Sequence, residues 1–292
     1  MNHWKPARSN PANGRPGPAV LLYLGLVALV LMSAEPALSQ GNILTLPRRV
    51  VFEGNKRTQE LTVANTGRDT SKYVVSVVQL RMKEDGSVEE ITEPDSGQLF
   101  ADKYFRFFPR TVTLPPGQSQ VIKMQLNKTA NLAPGEYRSH IYFRAIKDEA
   151  PLGELGARDS TAVTISLVPV FGITIPAIIR VGNLTSDVTI TDTQTEMTND
   201  TTPRLRMVLN RKGGASVYGD IQVNHVAPDG TKTKAALVKG VAVYTPNTVR
   251  RFHCNLDTKA GINYKTGKLS ITYSTADDVK AATIAETELI LR

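Results

Sequence analysis

The side chains that could carry out nucleophilic or metal chemistry are few in this sequence. Cys254 follows His253, and a thiol beside an imidazole could form a nucleophile or share a metal ion. Both residues lie in a predicted strand, where neighbouring side chains point to opposite faces of the sheet. His140 and His225 lie on other predicted strands, and no HxH or HExxH spacing joins the histidines. The sequence therefore predicts no metal site, and Cys254 is interpreted as a buried structural residue.

Motifs for catalysis and cofactor binding are missing as well. The sequence contains no GxSxG elbow and no glycine-rich phosphate loop between a strand and a helix. Cys254 is the only cysteine, so no intramolecular disulfide can form and the fold depends on hydrophobic burial. We therefore predict that the protein is not an enzyme, uses no cofactor and has no small-molecule substrate.

The elements that carry these residues are predicted to be strands. From residue 42 onward, short runs of alternating apolar and polar residues are separated by Gly, Pro, Asn and Asp. In "QVIKMQL", for example, Ile122, Met124 and Leu126 share one face. About seven such runs end at Pro176 and about seven follow, with the Thr- and Asp-rich "TDTQTEMTND" interpreted as a solvated connection. The pattern predicts an all-β fold of two tandem immunoglobulin-like β-sandwich domains, residues 40–176 and 177–292.

The first 39 residues have the pattern of a secretory signal. Basic residues precede an apolar run from Ala19 to Met32, and small residues precede Gln40. The run of about 14 residues is shorter than the roughly 20 that a membrane-spanning helix needs. We predict that residues 1–39 are a cleaved signal peptide and that the protein is exported; a retained membrane anchor is the alternative.

The charge of the chain is positive but is not concentrated. The formal net charge is +8 at pH 7, and the lysines and arginines are scattered along predicted strands and turns. Nucleic-acid binding is typical of basic residues clustered on one face or along one helix. We therefore predict that nucleic acid is not a partner.

One predicted strand has the properties of an apolar sheet edge. In "TAVTISLVPVFGITIP", Val163, Ile165 and Leu167 alternate with small or polar residues, and Pro169 follows. Proline cannot donate to a ladder and is found mainly in edge strands, and an apolar edge favours pairing with a foreign strand. Residues 147–160 before it are rich in charge and glycine, which predicts a long loop. The three apolar residues therefore either complete the protein's own core or receive a partner.

Three stretches together resemble the PapD-like periplasmic chaperones of the chaperone–usher pilus pathway. They are "RRVVFEGNKRTQELTVANTG", "FPRTVTLPPGQSQVIKMQL" and "LAPGEYRSHIYFRAI". The resemblance extends over nearly the whole chain after the signal. It implies a chaperone that stabilises fimbrial subunits by donating an edge strand, here with Val163, Ile165 and Leu167, and delivers them to an outer-membrane usher.

The resemblance also implies a site for the terminal carboxylate of a subunit. Arg49 matches the arginine that this family places on its first strand. The family's lysine in "I-K-L-F-Y-R-P" has no counterpart in "VPVFGITIP", where the strand's arginine is also expected to be lost. Arg138 occupies the position of a family glutamate. These departures predict a divergent member.

A second function class stays open at this point. Two sandwiches with an edge strand that pairs only within its own sheet would suit a non-catalytic surface, adhesive or structural module.

Overall fold

The computed structural model describes residues 43–127, 129, 131–146, 171–198, 201–259, 261–276 and 281–291. The predicted signal peptide and the residues Val163, Ile165 and Leu167 lie outside these ranges. The described residues form eighteen strands and one short 3-10 helix, Asp102–Tyr104. No helix long and apolar enough to cross a membrane is found among them. The predicted all-β class of two tandem β-sandwiches is confirmed.

The first sandwich contains two packed sheets and a small hairpin. Its strands are β1 (Ile43–Leu46), β2 (Val50–Phe52), β3 (Thr58–Asn65), β4 (Ser71–Val78), β5 (Leu80–Met82), β6 (Val88–Glu90), β7 (Phe105–Phe108), β8 (Thr111–Leu114), β9 (Ser119–Leu126), β10 (Gly135–Ile146) and β11 (Gly172–Val181). One sheet has the order β1-β3-β9-β7, the other β2-β11-β10-β4-β8, and β5 pairs with β6.

The core of the first sandwich follows from period-2 alternation. In β9, Ile122 and Met124 are fully buried while Val121 and Lys123 are exposed. They pack with Leu61 of β3 and, across the sandwich, with Ile141 and other residues of the second sheet. Burying one such side chain contributes roughly 1.5–3 kcal/mol, so the alternating faces fix which side of each strand points inward.

The second sandwich is built in the same way from seven strands. They are β12 (Ser186–Thr198), β13 (Thr202–Gly213), β14 (Val217–Val226), β15 (Lys232–Val243), β16 (Val249–Asn255), β17 (Lys268–Thr275) and β18 (Thr283–Ile290). The sheets have the orders β12-β13-β16 and β15-β14-β17-β18. Leu205, Leu209, Ile221 and Ile271 lie in the shared core with Cys254.

Two boundaries differ from those expected. β11 pairs with β10 as far as Val181, so the predicted domain boundary between residues 176 and 177 falls inside a strand of the first sandwich. "TDTQTEMTND" was expected to connect elements, yet most of it belongs to β12, which pairs with β13 from Ser186 to Thr198. β12 is an edge strand whose side chains are mostly exposed. This segment therefore has the polar composition of a loop, although its backbone is hydrogen-bonded to β13.

Candidate functional site

Strand β11 is only half covered on one side. Along one edge it pairs with β10 from Gly172 to Val181, but on the other edge β2 covers only Ala177–Ile179. No other strand of the described residues pairs with the 172–176 half. We call this half the free edge. A row of backbone donors and acceptors without a neighbouring strand is a template for an added strand.

The alternation of the ladder shows which backbone groups face the free edge. The N–H of Ala145 donates to the carbonyl of Phe171 at 3.0 Å, so Phe171 bonds toward β10. The N–H and C=O groups of successive residues in an antiparallel strand point alternately to its two edges. The backbone groups of Gly172, Thr174 and Pro176 therefore point away from β10, toward the free edge. Because its ring faces away from β10, Pro176 interrupts no hydrogen bond with that strand.

Arg49 lies directly before β2, at the boundary between the two sandwiches. It is half-buried, and its guanidinium carbon is 4.6 Å from the centre of the Tyr218 ring of the second sandwich. At this distance the cation is attracted to the negative face of the ring. Arg49, the candidate carboxylate-binding residue, is therefore held at the junction by Tyr218, which no pattern in the sequence indicates.

A cleft of about 500 Å³ opens beside Arg49, between the two sandwiches. Arg48 lines it from the first sandwich, and Tyr218 and Lys239 line it from the second. Two carboxylates, Glu60 and Asp220, are part of the same wall. The cleft thus combines cations from both sandwiches with an aromatic ring and with acidic groups that limit its net charge.

A β-bulge determines where Lys239 lies. The pairing of β14 with β15 shifts between Gly219 and Ile221, which leaves Lys239 and Gly240 opposite Asp220. Gly240 has φ +75, a left-handed conformation that favours glycine, and its N–H donates to Asp220 Oδ1 at 2.9 Å. Bulges of this kind redirect a side chain relative to the regular strand.

A polar network joins the two sandwiches next to this cleft. The carboxylate of Glu136, on β10, is completely buried and accepts hydrogen bonds from four donors. Arg180 Nε donates at 3.1 Å, the N–H of Ser216 at 2.9 Å and Thr245 Oγ1 at 3.2 Å, and the Ser216 hydroxyl also donates. Arg180 in turn donates to the carbonyl of Ser216 at 2.9 Å. We call this group the Glu136 network.

Arg180 corrects one expectation from the sequence. The arginine of the last strand was expected to be lost because the stretch compared ended at Pro176. β11 continues to Val181 and carries Arg180, which pairs with Glu136 directly across the ladder. In the motif that the sequence resembles, the lysine lies four residues before the arginine. Four residues before Arg180 is Pro176, so the absence of a lysine on this strand stands.

Arg138 and His140 follow Glu136 on the same face of β10 and are also buried. Arg138 Nη2 donates to the carbonyl of Thr245 at 3.1 Å, and its guanidinium lies 4.4 Å from the centre of the Tyr244 ring. Burial lowers the pKa of Arg138. Burial, followed by the charge of Arg138, lowers the pKa of His140 to about 3, so its imidazole is neutral near pH 7.

His140 lies in the interior, where polar side-chain atoms are usually hydrogen-bonded. Its Nδ1 is buried and has no hydrogen-bond partner in the described part of the chain. The ring instead packs edge-on against Tyr244, with 6.3 Å between ring centres. The residue is structural, but its contact is aromatic rather than polar.

An apolar cluster completes the junction. Met82 and Ile178 of the first sandwich pack against Ala242 and Tyr244 of the second, with Val51 at the margin. Tyr244 is deeply buried, and this burial raises the pKa of its hydroxyl to about 12. The junction is therefore packed, in contrast with the open cleft beside it.

The residues considered for catalysis do not form a site. Cys254 points into the core of the second sandwich, where burial raises the pKa of its thiol to about 11, whereas His253 is exposed. Within the described ranges, no group of three or more His, Cys, Asp or Glu residues could hold a metal ion.

Comparisons with known proteins give structural neighbours only. No family model and no curated protein matches the chain. The crystal structure of the YadV chaperone has a TM-score of 0.42 at 11% identity and covers 86% of this chain and 100% of its own. The CupB2 chaperone of Pseudomonas aeruginosa has a TM-score of 0.39 at 13% identity and covers 85% and 100%.

A third neighbour contains a subunit as well as a chaperone. It is the CsuC–CsuE chaperone–tip adhesion subunit pre-assembly complex of Acinetobacter baumannii, with a TM-score of 0.37, 12% identity and coverage of 73% and 90%. All three of these solved structures contain a chaperone.

Proposed function

We propose that this protein is a periplasmic chaperone that binds secreted pilus-type subunits by strand addition at the free edge of β11 and delivers them to an outer-membrane usher. The observation that carries the proposal is the half-covered strand: β2 pairs with Ala177–Ile179 and leaves Gly172–Pro176 open. An added strand gains backbone hydrogen bonds along such an edge, while its alternate side chains provide specificity. In this proposal Val163, Ile165 and Leu167, which precede the free edge in the chain, are the side chains donated to the subunit.

The direction of β2 relates the free edge to Arg49. β2 runs parallel to β11, with Val50 opposite Ala177. A client strand that lies along the free edge and runs in the same direction as β2 would have its C-terminal end beside Pro176. In the register of β2, this is the position immediately before Val50. Arg49 is the residue at that position. A terminal carboxylate would then meet this guanidinium, and a charge-assisted hydrogen bond of this kind contributes roughly 1.5–3 kcal/mol.

The cleft beside Arg49 contains two further cations, neither of which belongs to β11. Arg48 and Lys239 line the cleft beside Arg49, one from each sandwich. Lys239 belongs to β15 and is directed by its bulge. We propose that these two cations take the place of the missing strand lysine.

The test is the capture of a pilus-type subunit by the Arg49→Ala variant. Loss of roughly 1.5–3 kcal/mol corresponds to about a 10- to 150-fold weaker Kd, with little change in thermal stability. Arg110→Ala is the matched control, because Arg110 also stacks on an aromatic ring, 4.7 Å from the centre of Phe107, but lies away from the cleft. Unchanged capture by Arg49→Ala, or an equal loss in both variants, contradicts the assigned role.

A second variant separates the chaperone from the surface or adhesive module. Ile165→Glu should abolish capture and leave the urea unfolding of the free protein nearly unchanged, because a donated side chain is exposed until a client arrives. If Ile165 completed the protein's own core, the buried carboxylate would cost several kcal/mol. Early unfolding together with normal capture by the folded fraction would favour the module.

A further inference from the structure

The hairpin of β5 and β6 is firmly attached to the first sandwich. Arg81 binds Asp95 through two hydrogen bonds of 2.6 Å each. Gln98 Nε2 donates to the carbonyl of Leu80 at 3.1 Å, and the next residue, Leu99, is bridged to Tyr137 of β10. A two-stranded hairpin is marginal by itself, so these contacts at its base are what hold it in place.

The turn of this hairpin contacts the second sandwich. β16 is an edge strand, and the N–H of Arg251 donates across its open edge to the carbonyl of Glu84 at 2.6 Å. Asn247 Nδ2 donates to the carbonyl of Met82 at 2.7 Å. The hairpin therefore satisfies part of the β16 edge, as a neighbouring strand would, but it does so from the other sandwich.

The same hairpin is packed as well as hydrogen-bonded. Met82 is only 7% exposed and belongs to the apolar cluster of the junction. Gly86, at φ +86, lies so close to Arg250 that an added Cβ would be 2.5 Å from Arg250 Nη2. Arg250 in turn donates to the carbonyl of Ala242. The hairpin turn thus rests on an arginine that is itself fixed to β15.

We infer that the β5–β6 hairpin is a clasp that sets the angle between the two sandwiches, and with it the width of the cleft between Arg48 and Lys239. The Glu136 network reaches the second sandwich from β10, and the clasp reaches it from the β5–β6 hairpin, so the junction is held by two separate elements of the first sandwich. Two points of attachment restrict rotation that one point would permit. The exposed ion pair between Glu84 and Arg251 adds little, so the clasp depends on the backbone contacts and on Met82. This inference does not depend on the proposed function.

The test measures the distribution of distances between the sandwiches. Spin labels are attached to cysteines introduced at the exposed positions Lys123 and Gln222, one on each sandwich. The double variant Met82→Ala/Asn247→Ala removes a packed side chain and a hydrogen bond from the clasp. Double electron–electron resonance should show a narrow distribution for the parent protein and one at least twice as wide for the double variant.

A matched control uses the outer side of the same hairpin. Val88 and Glu90 are exposed, so Val88→Ala/Glu90→Ala should keep the narrow distribution of the parent. An unchanged width in the folded double variant would overturn the clasp and leave the Glu136 network as the determinant of the angle. Should the double variant fail to fold by circular dichroism, Met82→Ala and Asn247→Ala are measured separately, and an unchanged width in both single variants overturns the inference in the same way.

Discussion

Removing the carboxylate of Glu136 should lower the free energy of unfolding more than any nearby surface change. Its side chain is completely buried, and Arg180 and three hydrogen-bond donors from Ser216 and Thr245 converge on it. Glu136→Ala removes the buried counter-charge of the mostly buried Arg180 and leaves the donors of Ser216 and Thr245 without this acceptor. Breaking a buried ion pair in this way costs about 3–5 kcal/mol.

Urea unfolding followed by circular dichroism measures this cost. With an m value of about 3 kcal/mol/M, the midpoint should fall by roughly 1–1.7 M. Glu53→Ala is the matched control, because Glu53 also contacts Arg180, at 3.6 Å, but is 59% exposed. A surface pair contributes about 0–1 kcal/mol, so this variant should shift the midpoint by no more than about 0.3 M. Equal shifts in the two variants would refute the conclusion that burial makes the Glu136 network strong.

Two further predictions follow from buried titratable groups. Because burial raises the pKa of Cys254 to about 11, its thiol should react with a disulfide reagent at pH 8 far more slowly in the folded protein than in urea, and equal rates would contradict this. His140 has a folded pKa of about 3 against an ordinary value of 6.5, so only the unfolded chain takes up its proton between these pH values, and stability falls as pH falls. Between pH 6 and 4 the wild type should lose up to about 1.4 kcal/mol per pH unit more than His140→Gln, whereas parallel pH profiles would show that His140 is protonated in the folded state.

The fold could be predicted because the alternation of apolar and polar residues is visible within the sequence of each strand. In strands such as β9, the alternation of apolar and polar residues indicates which side chains face the core. The strands of the second sandwich show the same alternation. The later part of β12 was interpreted as a connection, because an exposed edge strand has no apolar face there to reveal it. The alternation of apolar and polar residues reflects burial of one face, so a strand segment with little burial resembles a loop in its sequence.

The junction was much less predictable. Glu136, Arg138 and His140 alternate with core residues of β10 and therefore read as a solvent-facing side of the strand. They are buried only because the second sandwich covers them, which no local pattern shows. Arg49 could be found through the family resemblance, but Tyr218, against which it stacks, could not, since the two are brought together by the packing of one sandwich on the other.

The Glu136 network has a consequence for how such a protein can change over generations. Its acceptor comes from one sandwich, and Ser216 and Thr245 come from the other, so neither half carries a complete set. A chimaera that joined residues up to Val181 to a foreign second half would inherit Glu136, Arg138 and His140 without the groups that cover them. Recombination after Val181 should therefore yield poorly folded proteins. The two halves are expected to be inherited together although each has its own core.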